Sequence, residues 1–137
     1  MGLSLYVHIP FCLKRCIYCD FVSGIYDPEK EGAYLQAIKK EIHNISYGDH
    51  PSPLPLPDTS GEGVRGRVFS TLYIGGGTPT VLSADALSDL IAYIFKEIPF
   101  TKNHETTIEA NPGTLDKEKL QTIRTSGINR ISIGVQS

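Results

Sequence analysis

The chain has 137 residues, of which 40% are hydrophobic and 20% charged, and its net charge at pH 7 is -2. This length and composition are typical of one globular domain or part of one. The balanced charge offers no basic surface for nucleic acid or an anionic membrane, so we expect a small molecule or a protein as partner. The first twelve residues lack the basic region and the apolar run that predict a signal peptide, and no run of about 18 apolar residues predicts a transmembrane segment. We therefore expect a cytoplasmic, reducing location.

The N-terminal half predicts a strand, a cysteine-containing loop and a helix. Residues 3–9 alternate in polarity and favour a strand that ends before Pro10. A helix is expected to begin near Pro28, because apolar side chains then recur at helical spacing. These side chains are Tyr34, Ala37, Ile38, Ile42 and Ile45. Residues 46–67 are rich in Pro, Gly and Ser, which predicts an inserted surface loop.

The C-terminal half repeats a strand and helix pattern. Further strands are predicted at residues 68–74, 106–110 and 130–135. The helices between them are expected to be capped by Ser83 and Asp116, and the second is expected to stop at Gly127. Four strands alternating with three helices predict an α/β fold, with a parallel sheet or an incomplete barrel of right-handed βαβ units.

All three cysteines lie within eight residues, as Cys12, Cys16 and Cys19 in the pattern CxxxCxxC. In a cytosolic protein, such a cluster indicates metal or redox chemistry rather than disulfides. Three thiolates can bind three irons of a four-iron cluster, which would leave one iron open to another ligand. The alternative is a structural zinc site, for which His8 would have to fold back over the loop as the fourth ligand.

Glycines or polar residues follow each of the other predicted strands. They are Gly75, Gly76, Gly77 and Thr78 after the second strand, Glu109 and Asn111 at the end of the third, and Gln136 at the end of the fourth. Because parallel strands end at one rim, we expect these residues to surround a single site together with the cysteine loop. The glycine loop lacks the Lys-Ser/Thr ending of a phosphate-binding loop. Taken singly, the glycines also fit a tight turn, and Glu109 or Gln136 also fits a surface residue.

Five segments of the chain match the motifs of a known family. They are YVHIPFC at residues 6–12, CxxxCxxC at 12–19, YIGGGTPT at 73–80, IEANP at 108–112 and GINRISIGVQ at 127–136. Together they resemble the radical S-adenosylmethionine (SAM) superfamily, and more closely its branch of oxygen-independent coproporphyrinogen III oxidases and HemW heme chaperones.

The resemblance implies a partial (β/α) barrel, of which residues 1–137 would form the N-terminal part of the core domain. It also implies a 4Fe-4S cluster on the three cysteines, with SAM chelating the fourth iron. SAM would contact Tyr6, Gly75, Gly76, Gly77, Thr78, Glu109 and Gln136. Members of the superfamily reduce the cluster and cleave SAM to a radical that abstracts hydrogen from a substrate, while the protein orients the reactants.

The position two residues after Cys19 separates the two branches. Decarboxylating oxidases are expected to carry a fourth cysteine there, whereas this chain has Phe21. The resemblance therefore favours a HemW-like chaperone that binds heme and passes it to an acceptor protein. The alternative is an oxidase that acts on coproporphyrinogen III. The resemblance leaves open whether the protein is an enzyme.

Overall fold

The computed structural model describes residues 2–13, 24–47 and 68–134, which form a parallel α/β fold. The elements are β1 (Leu3–Ile9), β2 (Phe11–Cys12), β3 (Gly24–Ile25), α1 (Pro28–Tyr47), β4 (Phe69–Gly76), α2 (Ala84–Glu97), β5 (Phe100–Ala110), α3 (Lys117–Thr125) and β6 (Arg130–Ile133), with 3-10 turns at Pro79–Val81 and Pro112–Thr114. The main sheet has the order β1-β4-β5-β6, and β2 pairs with β3 separately. Neighbouring parallel strands in chain order are the arrangement of a (β/α) barrel, as predicted.

The two faces of the sheet differ in chemistry because side chains alternate along each strand. One face is apolar and packs against the three helices in a single core, where Ile74 and Ile108 are fully buried. The other face carries Ser4, Tyr6 and His8 from β1, Thr71, Tyr73 and Gly75 from β4, Glu105, Thr107 and Glu109 from β5, and Arg130 and Ser132 from β6. In a barrel of this kind the polar face would line the interior, so the site is expected on that side.

Two helix caps follow the sequence prediction. The Ser83 hydroxyl accepts a hydrogen bond from the backbone N–H of Ala86, and the Asp116 carboxylate accepts one from Lys119. Gly127 adopts a φ of 97°, the left-handed conformation that ends α3. These features depend on neighbours in sequence, which is why local patterns predict them.

Several predicted element boundaries differ from the structure. Strand β4 is Phe69–Gly76 instead of 68–74, so Gly75 and Gly76 belong to the strand, and β6 ends at Ile133 instead of residue 135. Helix α1 continues through Tyr47, two residues into the predicted insertion, while residues 48–67 lie outside the described part of the chain. Strand β5 begins at Phe100 instead of residue 106, because Phe69 pairs with Phe100 across the sheet and their rings lie 5.9 Å apart. Among the described residues, no helix is both long and apolar enough to cross a membrane.

Glu31 joins the start of α1 to the start of α2. Its carboxylate accepts hydrogen bonds from the Tyr26 hydroxyl (2.7 Å), and from the backbone N–H (3.1 Å) and hydroxyl (2.9 Å) of Ser83. Burial alone would raise the pKa of Glu31, but these hydrogen bonds and the positive charge of Lys119 together outweigh it and lower the pKa below its usual value. The ionised carboxylate therefore stabilises the fold.

We expect Glu31→Gln to lower the free energy of unfolding by about 1–2 kcal/mol at neutral pH, because hydrogen bonds to a charged acceptor are lost. The folded pKa of Glu31 is depressed, so this contribution is present above the unfolded pKa of about 4.3 and disappears as the pH falls through the folded value. Denaturant unfolding at pH 7 and at pH 3 checks both points. The exposed Glu29, on the same turn, provides the control Glu29→Gln. Equal losses for the two variants at pH 7 would contradict the prediction.

Candidate functional site

The C-terminal ends of the sheet strands surround an open cavity of about 180 Å³. Its lining consists of Gly77, Thr78, Glu109, Ala110, Asn111, Ser132 and Gly134. The structure thus brings together Gly77 and Thr78, which follow β4, and the polar end of β5, which the sequence had placed on one rim. Gly75 and Gly76 are the last residues of β4 and do not line the cavity. Ser132 and Gly134 were not predicted. Two signals could have found them: both lie in the motif at residues 127–136, and both alternate with the apolar Ile133 at the end of β6.

Cys12 lies at the end of β2, beside this cavity, and is half-buried. The backbone N–H of Thr78 donates to the carbonyl of Phe11 (2.6 Å), and the Thr78 hydroxyl lies 3.8 Å from the Cys12 sulfur. These contacts hold the thiol against the glycine loop. Cys16, Cys19 and Gln136, which the sequence assigns to the same site, lie outside the described residues.

The glycine loop approaches β1 and β2 too closely for side chains. Gly76 has a φ of 109°, and the N–H of Gly77 donates to the carbonyl of Ile9 (2.7 Å). A Cβ on Gly77 would lie 2.4 Å from the carbonyl oxygen of Phe11 and 3.0 Å from the Cys12 sulfur. The loop therefore presents bare backbone beside the thiol, where a ligand can meet main-chain groups.

Glu109 is held by two donors from β4. The hydroxyl of Tyr73 donates to Oε1 (2.7 Å), and the backbone N–H of Gly76 donates to Oε2 (3.1 Å). Each carboxylate oxygen has two lone pairs, so one bond to each leaves capacity for a ligand in the cavity. Sequence reasoning missed the role of Tyr73, although its alternation with Gly75 along β4 indicates that both belong to the polar face.

Tyr6 lies on the polar face next to this pair and does not line the cavity. Its ring is 54% exposed and stacks on that of Tyr73, with centroids 6.0 Å apart and planes at 21°. Its hydroxyl is 3.3 Å from Nδ1 of His8. Burial, followed by the negative charge of Glu109, raises the pKa of Tyr6. Tyr6 therefore stays protonated and available as a hydrogen-bond donor at neutral pH.

The described residues include one of the three cysteines that the sequence motifs assign to a cluster, next to a cavity that suits a polar ligand. Cys12 supplies a soft thiolate donor of the kind that holds iron-sulfur clusters. Beside it, the glycine backbone, the Thr78 hydroxyl and the Glu109 carboxylate line a polar cavity suited to a ligand that carries amino and hydroxyl groups. The missing Cβ of Gly77 keeps the space next to the sulfur open.

Comparison with known proteins agrees with these features. Residues 6–137 match the sequence model of the radical SAM superfamily. The heme chaperone HemW of Escherichia coli K12 is 39% identical over 135 residues, which cover 98% of this chain and 32% of that protein. The oxygen-independent coproporphyrinogen III oxidase of the same organism is 36% identical over 135 residues, which cover 98% of this chain and 26% of the oxidase.

The fold is also similar to that of a protein from this superfamily. The solved structure of coproporphyrinogen III oxidase (HemN) from Escherichia coli, described as a radical SAM enzyme, superposes with a TM-score of 0.77 at 36% identity, covering 98% of this chain and 28% of that one. The chain thus spans about a third or less of the length of these relatives. Because the superfamily match extends over almost the whole chain, the protein belongs to the radical SAM superfamily.

Proposed function

We propose that this protein binds a 4Fe-4S cluster through Cys12, Cys16 and Cys19, and SAM in the adjoining cavity, and that the full-length protein is a HemW-like heme chaperone. The observation that supports the cofactor assignment most is the position of the Cys12 sulfur. It faces the glycine loop at the edge of a polar cavity that also contains Glu109. A thiolate ligand beside such a cavity suits a cluster whose open iron takes a polar second ligand.

In this proposal each protein group has a separate task. The three thiolates hold the cluster, which when bound supplies the electron for reductive cleavage of SAM. Glu109 accepts hydrogen bonds from the amino or hydroxyl groups of SAM, while Thr78 and the backbone of Gly77 line the cavity around its methionine part, with Gly75 and Gly76 just before them in the chain. Gln136 adds a polar contact, and Tyr6, which does not line the cavity, contacts a part of SAM that extends beyond it over the polar face of the sheet. The cysteines require a reducing compartment, so the proposal includes a cytoplasmic location.

The chaperone assignment is supported by Phe21, which stands where an oxidase would carry a fourth cysteine. The name of the relative from Escherichia coli K12, heme chaperone HemW, points the same way. In this proposal residues 1–137 are the N-terminal part of the radical SAM core domain, with an insertion at residues 46–67. The full-length protein would pass heme to an acceptor protein.

A second candidate function is oxidative decarboxylation of coproporphyrinogen III. The observation in its favour is the similarity to HemN, with a TM-score of 0.77. Under this alternative the same cluster and SAM would serve catalysis, and a porphyrinogen would replace heme as the partner.

Heme titration of the full-length protein separates the two functions. We expect a heme chaperone to shift the Soret band with a saturable stoichiometry, and to yield no protoporphyrinogen in an anaerobic assay with reductant, SAM and coproporphyrinogen III. An unchanged Soret band together with turnover would overturn the chaperone assignment in favour of the oxidase. Iron and sulfide analysis of the same reconstituted sample tests the cluster, because a colourless protein containing zinc would support the structural zinc site instead.

A further inference from the structure

We propose that Tyr73 is a positioning residue that fixes the Glu109 carboxylate for SAM binding. This inference rests on the proposed function, since it assumes that SAM occupies the cavity beside Glu109. Tyr73 itself does not line that cavity, so it acts on the ligand through residues that do, and Glu109 is the one that accepts its hydrogen bond.

The hydrogen bonds on Glu109 support this role. Tyr73 and Gly76 donate to different oxygens of the carboxylate, at 2.7 Å and 3.1 Å. Two donors on two oxygens fix both the position and the rotation of the group, whereas a single donor leaves the carboxylate free to turn. The bond from Tyr73 is the shorter of the two, and hydrogen bonds to an ionised acceptor are among the stronger ones in proteins.

The space around Gly75 is a second observation that supports the positioning role of Tyr73. Gly75 is buried beneath the pair, and a Cβ there would lie 2.8 Å from the Tyr73 ring and 2.9 Å from Oε2 of Glu109. Any other residue at this position would force the ring or the carboxylate to shift from its present place. The first glycine of the loop therefore provides the room in which Tyr73 reaches Glu109.

The ring of Tyr73 contacts Tyr6, whereas its hydroxyl contacts Glu109. It stacks on Tyr6, and the substitution Tyr73→Phe would keep this stacking because only the oxygen is removed. The hydrogen bond to Glu109, then burial and the charge of Glu109, raises the pKa of Tyr73, while the Ser132 side chain opposes the shift. The phenol therefore remains protonated and donating throughout the neutral range.

The test is SAM binding to the reconstituted full-length protein, measured by calorimetry, for Tyr73→Phe, Glu109→Gln and the double variant. We expect Tyr73→Phe to raise the Kd for SAM about tenfold, the effect of losing one hydrogen bond to a charged group. In the Glu109→Gln background the same substitution is expected to change the Kd less than about twofold, because the charged carboxylate that Tyr73 positions has been replaced by a neutral amide. A purely structural effect would persist in both backgrounds.

The matched control is Tyr26→Phe. The Tyr26 hydroxyl also donates to a glutamate at 2.7 Å, but that residue is Glu31, which joins the helices and does not line the cavity. This variant is expected to lose stability while its Kd for SAM stays within about twofold of the wild-type value.

A second measurement does not involve any cofactor. In the apoprotein, the ultraviolet absorbance of tyrosinate follows phenol ionisation as the pH rises. Glu109→Gln is expected to make both Tyr73 and Tyr6 ionise at lower pH, because Glu109 raises the pKa of each, and in the Tyr73→Phe background only the shift of Tyr6 should remain. Tyr26 and Tyr34, whose pKa values are raised to about 12 chiefly by burial, serve as internal references.

The outcomes of these experiments distinguish failure of the proposed function from failure of the role of Tyr73. A wild-type protein with an intact cluster and no affinity for SAM would overturn the proposed function and this inference with it. Wild-type SAM binding that Tyr73→Phe leaves unchanged, or equal losses in both Glu109 backgrounds, would overturn the role of Tyr73 alone. A loss of about tenfold that depends on Glu109, together with the shifted tyrosinate titration, would establish it.

Discussion

Replacing Cys12 with alanine is expected to abolish the iron-sulfur cluster in the full-length protein. Its sulfur lies beside the glycine loop, where the Thr78 hydroxyl approaches to 3.8 Å. Loss of one of three proposed thiolate ligands leaves a second iron without protein coordination, so the cluster should not survive reconstitution. Iron and sulfide content and the broad visible absorption, measured after anaerobic reconstitution, check the result.

The neighbouring residue gives the control for this experiment. Leu13 directly follows Cys12 and its side chain is 55% exposed, so Leu13→Ala perturbs the same segment without removing a thiolate. This variant is expected to bind iron and sulfide at the wild-type level. Full iron and sulfide in Cys12→Ala, with the same visible spectrum, would show that Cys12 is not a ligand.

The sequence predicted the parts of the fold that depend on local chemistry. The bounds of β1, the caps at Ser83 and Asp116 and the end of α3 at Gly127 agree with the structure. Each depends on alternation, a short polar side chain or a positive φ, all of which act between close neighbours. The α/β fold with a parallel sheet followed from the order of these elements.

Features that depend on distant residues were not predicted. Strand β2 is only two residues long and exists because it pairs with β3, across a segment that contains Cys16 and Cys19. The start of β5 depends on the packing of Phe69 and Phe100, which are far apart in sequence. No local pattern contains such information, so β5 was predicted shorter than it is and β2 was not predicted.

In the candidate site, too, local motifs were predicted and contacts between distant residues were not. The cysteine spacing and the triple glycine were visible as motifs, and the rule that parallel strands end at one rim placed Glu109 near them. The bond between Tyr73 and Glu109 joins residues on neighbouring strands, and only the register of β4 with β5 brings them together. A motif indicates which residues matter, while the register determines which of them touch.

The glycine loop allows a final prediction about stability. Gly77→Ala is expected to lower the free energy of unfolding by about 1–3 kcal/mol, the usual cost of overpacking, because its Cβ would lie 2.4 Å from the carbonyl oxygen of Phe11. That oxygen belongs to the backbone and also accepts a hydrogen bond from Thr78, so it cannot move aside without breaking this contact. Denaturant unfolding of the apoprotein measures the loss.

Gly32→Ala provides the opposite expectation in the same chain. Gly32 lies inside α1, and a Cβ there would meet no atom within 4 Å. Alanine should therefore stabilise the protein by roughly 0.5–1 kcal/mol through its better helix propensity.

The displaced loop in Gly77→Ala is also expected to reduce cluster loading, since the Cβ would lie 3.0 Å from the Cys12 sulfur, whereas Gly32→Ala should load normally. Equal stability and equal iron content in the two variants would mean that the loop does not need a bare backbone beside the thiol.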